Sequence, residues 1–245
     1  MLDWLATPID PARVHDVAAA VDWHGRLMVL AWAVLLPAGV IMARFWKVTP
    51  AQKWPNQLDN TTWWHAHIGL QYAGGLAALL ALALVIAGGA MPRGLHALLG
   101  WCVVGLMAVQ FLSGWLRGTK GGPTAPAPDG SLRGDHYDMT PRRRAFESIH
   151  KSAGYFALGI ALGSLATGLW LANAPRWMWL VLAIWFVALA GLSVVWQRQG
   201  RAVDTYQAIW GPDPAHPGNR MQPIGWGVQR RHASPTRPAD DRTPP

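Results

Sequence analysis

Four of the five long apolar runs in this chain carry a histidine close to their N-terminal end: His24, His67 (with His65 beside it), His96 and His150. The runs cover 24–43, 64–90, 95–116, 149–171 and 177–197. Each comes near the roughly 20 residues that a helix rising about 1.5 Å per residue needs to cross about 30 Å of hydrocarbon. Residues 14–21 (VHDVAAAV) are helix-compatible and would set His24 more than one turn inside a longer first helix. Successive spans run in opposite directions, so His24 and His96 fall at one end of the bundle and His67 and His150 at the other. The pattern predicts an all-α membrane protein, a bundle of five transmembrane helices with one pair of imidazoles per leaflet.

Composition agrees. The chain is 51% hydrophobic and 14% charged, with 16 tryptophans in 245 residues, and its apolar residues come in long runs instead of an amphipathic period. Pro37 lies inside the first run and is expected to kink it, which a membrane helix tolerates where a neighbour satisfies the freed carbonyl. The N-terminal MLDWLATPID has no basic stretch ahead of a short apolar core, so no cleavable signal peptide is expected.

Charge sets the expected topology. Of the 21 lysines and arginines, only Arg13, Arg26, Arg93 and Arg176 fall on the face that holds the N-terminus, and the rest fall on the other. The positive-inside rule then places the N-terminus outside and the C-terminal tail in the cytoplasm. The formal charge of +8 reads as orientation and contact with anionic membrane lipid. No nucleic-acid-binding motif is present, and no nucleic-acid partner is expected.

A histidine within a span is costly unless it has a partner, and four at equivalent depth on four consecutive spans are hard to explain as separate packing solutions. Zinc or copper sites commonly add thiolate or carboxylate ligands, but Cys102 is the single cysteine and the spans hold almost no acids. Haem needs only two axial imidazoles, since the porphyrin brings its own nitrogens and a large apolar disc. Gly100 and Gly154 follow His96 and His150 by four residues on the same helix face, where a missing side chain makes room for a macrocycle, as it also would for close helix packing. Helical facing does not separate His65 from His67, which point about 200° apart; depth past Trp63 and Trp64 favours His67. His15, His136, His216 and His232 lie outside the runs and are expected to be solvated.

The stretches HGRLMVLAWAVLLPAGVIMARF from His24, WWHAHIGLQ ending at Gln71, HALLG from His96 and HKSAG from His150 resemble the core of the cytochrome b561 family, over about residues 20–198. The first stretch is the most specific, with histidine-glycine, a later W…P-x-G and A-R-F in order. The resemblance implies a bacterial-type transmembrane module without a DOMON domain, in which two b-type haems pass single electrons across a cell's inner membrane. His24 and His96 would ligate the outer haem, and His67 and His150 the cytoplasmic one. The spacing of His67 and Gln71 matches the family's H-x-x-x-Q. Arg26 or Arg93 outside, and Arg44, Arg117 or Lys151 inside, are candidates to pair with haem propionates, and each also serves as an orientation anchor. Implied partners are a small-molecule or protein electron donor and acceptor, including a separate periplasmic redox protein.

The organisation expected is a short segment 1–20, the haem domain 21–198 and a Pro-rich cytoplasmic tail 199–245, extended except where Trp210, Met221, Ile224 and Trp226 pack back or bind a partner. The 117–148 loop is expected to begin as a flexible Gly/Pro connector and end in a basic stretch. Two other classes share these features. One is a cytochrome b membrane-anchor subunit of a larger quinone-linked oxidoreductase. The other is a haem-free helical membrane protein with structural histidines.

Overall fold

A computed structural model describes residues 2–89, 94–121 and 126–231 of the chain. Among them the architecture is all helical, without a β-strand, and five helices are long and apolar enough to cross a membrane. A short helix α1 (Leu2–Ala6) precedes the first span, Ala19–Phe45. That span consists of α2 (Ala19–Val29), a π-helical segment (Leu30–Leu35) and α3 (Leu36–Phe45). The remaining spans are α4 (Thr62–Ala87), α5 (Leu95–Trp115), α6 (Pro141–Leu171) and α7 (Arg176–Arg198), and a short α8 (Thr205–Trp210) lies beyond them.

The π segment is the local answer to Pro37. Proline has no N–H and its ring crowds the carbonyl four residues back, here Ala33. Widening the turn relieves the crowding, and Trp185 Nε1 on α7 donates to the freed Ala33 carbonyl at 2.7 Å. Gln71 Nε2 on α4 donates in the same way to the carbonyl of Leu36 at 3.1 Å. Trp185→Phe, which keeps the ring and removes the donor, is expected to cost about 1–3 kcal/mol for a buried carbonyl left unpaired, read as a lower midpoint of thermal unfolding in detergent.

The spans form two antiparallel hairpins. The first span packs along α4 and α5 along α6, while the hairpins meet mainly where α6 crosses the π segment. Small residues permit the close approach within the first hairpin: a Cβ on Gly74 would come within 2.8 Å of Leu36, and Ala77, Ala78 and Ala81 are buried beside it. A core of Ala31, Trp32, Leu36, Ala77, Ala78, Val103, Met107, Ala157 and Ala161 fills the middle. No residue of α7 is buried, and Ile184 and Val187 are about 70% exposed, at 68% and 72%, as suits a lipid-facing helix.

α6 begins two turns before the apolar run that marked it. Thr140 caps it, its Oγ1 accepting from Arg143 N at 3.3 Å, with Pro141 at the first position. Hydropathy alone misses this start because the added turns are charged.

The tail meets expectation in that Trp210, Met221 and Ile224 pack back, and departs from it in the chain between them. Residues 201–231 are not extended; they fold into a cap over the basic end of the bundle. Tyr206, Ile209 and Trp210 are buried with Met139, and Tyr137, Met221 and Ile224 pack against them. His136 is likewise not solvated. It is 1% exposed, packs edge-on against Tyr206, and holds Nε2 3.4 Å from Glu147 Oε1. Burial, then Arg143, push its pKa down from 6.5 to about 3, with Lys151 and Lys120 adding to Arg143 and Glu147 opposing. The unfolded chain takes up this proton below about pH 6.5 and the folded chain only near pH 3. Stability is therefore full above that window and falls as pH drops through it. His136→Gln is expected to flatten this loss, measured as the unfolding midpoint between pH 7 and pH 4.

Candidate functional site

The structure brings the four histidines together as two pairs, each spanning the two hairpins. The rings of His24 and His96 lie 6.3 Å apart, centre to centre, with planes at 85°. Those of His67 and His150 lie 6.4 Å apart at 78°. A metal–imidazole bond of about 2.0–2.1 Å, with the nitrogen about 1.1 Å from its ring centre, puts two imidazoles sharing one ion about 6.3 Å apart. Both pairs have the spacing of ligands that face each other across a single ion. His65 is exposed and joins neither.

Every ring is oriented through Nδ1. His24 Nδ1 donates to Ala81 O at 3.0 Å, His67 Nδ1 to Gly39 O at 2.9 Å and His96 Nδ1 to Ser164 O at 3.1 Å. His150 Nδ1 donates at 2.9 Å to Ser113 Oγ, which passes its own proton to Gln110 O at 3.0 Å. Such bonds fix the tautomer and leave Nε2 as the unprotonated nitrogen that could accept a metal. Two of the direct acceptors, Ala81 and Ser164, stand fourteen residues after the histidine on their own helix, His67 and His150, and Gln110, which accepts from Ser113, stands fourteen after His96. Gly39 stands fifteen after His24, the extra residue lying in the stretch that contains the π segment. Fourteen residues of helix rise about 21 Å, so each helix carries a histidine in one layer and an acceptor in the other.

Glycines admit the rings. A Cβ on Gly168 would lie 3.1 Å from His96 Cε1, and one on Gly114 would lie 4.0 Å from His150 Cε1. At Gly39 it would run into the Gln71 carboxamide. Gly100 has nothing within 4 Å of an added Cβ, and Gly154 only the Gln110 carboxamide, from 3.4 Å. The space expected beside His96 is open, and that beside His150 is bordered by the Gln110 side chain. Gly114 and Gly168 escaped the sequence reading, although a signal existed: 96–114 and 150–168 both read H-x3-G-x4-G-x8-G, and 18 residues complete five helical turns.

A cavity of about 460 Å³ lies at the His67–His150 pair, within the usual range for a ligand site. It reaches from Trp32 and Leu36 to Arg44, Lys47, Arg117, Arg143 and Lys151, with Glu147 as its carboxylate and Thr205, Gly225 and Val228 of the cap in its wall. Arg44, Arg117 and Lys151 were the expected propionate partners at this end; Lys47 and Arg143 were expected on this face by charge but not in that role. Lys47 is 4% exposed and donates to Val203 O at 3.0 Å. Burial first, then Lys151, lower its pKa from 10.5 to about 7, Asp204 and Glu147 opposing and Arg44 adding to the fall. At the other end Arg26 pairs with Asp22 at 2.8 Å and is exposed, and Arg93 lies outside the described residues, as does His232.

Among the described residues no group of three or more His, Cys, Asp or Glu is set to hold a metal ion. The donors come in twos, which suits a group that brings the rest of its own coordination, as a porphyrin does.

These features define a multi-pass helical membrane protein with two paired-imidazole sites stacked along the bundle. A cytochrome b561, DM13 and DOMON domain-containing protein of Arabidopsis thaliana is 28% identical to the chain over 157 residues, 63% of this chain and 15% of the relative. The chain thus spans a small part of that protein's length. No family model matches, and no solved structure matches.

Proposed function

We propose that the chain is a cytochrome b561-type electron carrier of a cell's inner membrane with two b-type haems. His24 and His96 hold the haem on the outer side, and His67 and His150 hold the one on the cytoplasmic side. The observation that carries this reading is the geometry of the pairs: 6.3 and 6.4 Å between ring centres, each Nδ1 engaged and each Nε2 left for a metal. When bound, haem would supply reversible one-electron chemistry at iron, and the two histidines of each pair would hold it.

The chain's own residues do the rest. The hydrogen bonds at Nδ1 make the imidazoles more basic and hold them in register. The spans exclude water from both sites. Arg44, Arg117, Arg143 and Lys151 surround the cytoplasmic cavity with positive charge suited to haem propionates, against the one carboxylate of Glu147 in its lining. The two layers are about 21 Å apart by helical rise, so an electron passes from a donor on one side to an acceptor on the other without a moving part. The excess of lysine and arginine on the capped end orients that end to the cytoplasm.

A dithionite-minus-oxidised spectrum of the purified protein, with haem quantified, tests this. Two b-type haems per chain are expected. Absence of a Soret band after expression with haem in supply would overturn the reading and return the histidines to a structural role.

A further inference from the structure

Trp226 is 87% exposed, the highest value among large apolar side chains of the described residues. It stands in an ordered loop, not a loose end. Lys151 Nζ donates to Ile224 O at 2.7 Å, Arg44 Nη2 to Trp226 O at 2.9 Å and Gln197 Nε2 to Gly227 O at 2.6 Å. Gly225 and Gly227, with φ of 120° and 64°, take backbone angles that other residues avoid. Three side chains from three different spans thus hold a Gly-Trp-Gly turn in place, yet the indole at its centre packs on nothing.

Where those side chains sit indicates what meets the indole. Arg44 and Gln197 are each one residue from the end of their spans. Close by on α7, Val194 and Val195 are 50% and 49% exposed and belong to the apolar outer surface of the bundle. The loop therefore lies at the level where lipid-facing helix gives way to water. Indoles are favoured at that level, because the ring is apolar and its N–H prefers the polar headgroups.

We propose that Trp226 is an interfacial anchor: it enters the headgroup layer and seats the 201–231 cap on the bilayer as well as on the bundle. This rests on the bundle spanning a membrane and not on the identity of any cofactor.

The test uses the full chain in vesicles of phosphatidylcholine and phosphatidylglycerol. A nitroxide is placed on Trp226→Cys in a Cys102→Ser background, and collision with oxygen is compared with collision with a water-soluble nickel chelate. Labelled Cys102, the single cysteine and exposed on the α5 span, is the lipid reference. Ala215→Cys, at an exposed position of the cap, is the water reference. An oxygen-to-nickel ratio at 226 several-fold above that at 215, and below that at 102, is expected. A ratio equal to that at 215 would overturn the anchor. So would a label reached by neither reagent, which would mean that a second copy or another protein covers the indole.

Discussion

His67→Ala is expected to halve the haem content, leaving one b-type haem per chain, and His96→Ala is expected to do the same by losing the other. The reason is the separation of the two pairs. His67 is matched with His150 and His96 with His24, and among the described residues no third imidazole stands by to substitute, since His65 is exposed. The layers are about 21 Å apart by helical rise, so the retained site should keep its own spectrum and potential. Ser113→Ala separates ligation from orientation. It leaves both His67 and His150 in place but removes the hydroxyl that receives the His150 Nδ1 proton at 2.9 Å. Loss of such an outer contact typically costs about 10–100-fold in affinity, so haem at this pair should bind more weakly while the His24–His96 site is unaltered. Haem quantification, redox titration and competition with a haem acceptor distinguish these outcomes. If His67→Ala and His96→Ala both removed all haem, the independence of the two sites would fail.

Glu147→Gln is expected to give the largest loss of stability at the basic end. Its carboxylate is 4% exposed, accepts from Arg143 Nε at 3.2 Å and Lys151 Nζ at 2.7 Å, and lies 3.4 Å from His136 Nε2. The substitution keeps the shape but removes the negative charge, leaving the buried Arg143 and the partly buried Lys151 side by side without it. Removing one partner of such a buried network costs about 3–5 kcal/mol. The damage should reach the cap, because Lys151 also holds the Ile224 carbonyl and Arg143 and Lys151 both line the cavity that the cap closes. Faster trypsin cleavage within 201–231 than in the unaltered protein is the expected readout. Cleavage at the unaltered rate would show that the cap is held by its apolar contacts alone.

The five spans and the two histidine pairs were legible because they rest on one-dimensional physics. Helical rise against bilayer thickness sets the lengths, and antiparallel alternation decides which histidines share an end. An irregularity at Pro37 was legible too, found as a π-helical segment, although its remedy was not: the Trp185 donor to Ala33 comes from α7, 152 residues along the chain. The same limit hid the acceptors of the Nδ1 protons. Ala81, Gly39 and Ser164 act through their carbonyls, and a carbonyl leaves no mark in residue type. The choice of His67 over His65 shows the boundary well. Helical facing did not decide it from the sequence, and the fold did so by exposing one ring and pairing the other.

The cap marks where linear patterning misled. Its prolines and charges read as extended chain, and His136 as a solvated loop residue, because composition records only how much apolar surface a segment owns. Tyr206, Ile209 and Trp210 are few, but they close on Met139 and on a charged cluster from another part of the chain, and that shared surface makes the segment fold. By itself the sequence determined the number of long apolar helices, their match in length to a bilayer and the pairing of the histidines by end, since these follow from periodicity and length. Only the tertiary structure decided how each imidazole is oriented, which cations surround the cavity and that the tail closes over it, because those depend on contacts between residues far apart in the chain.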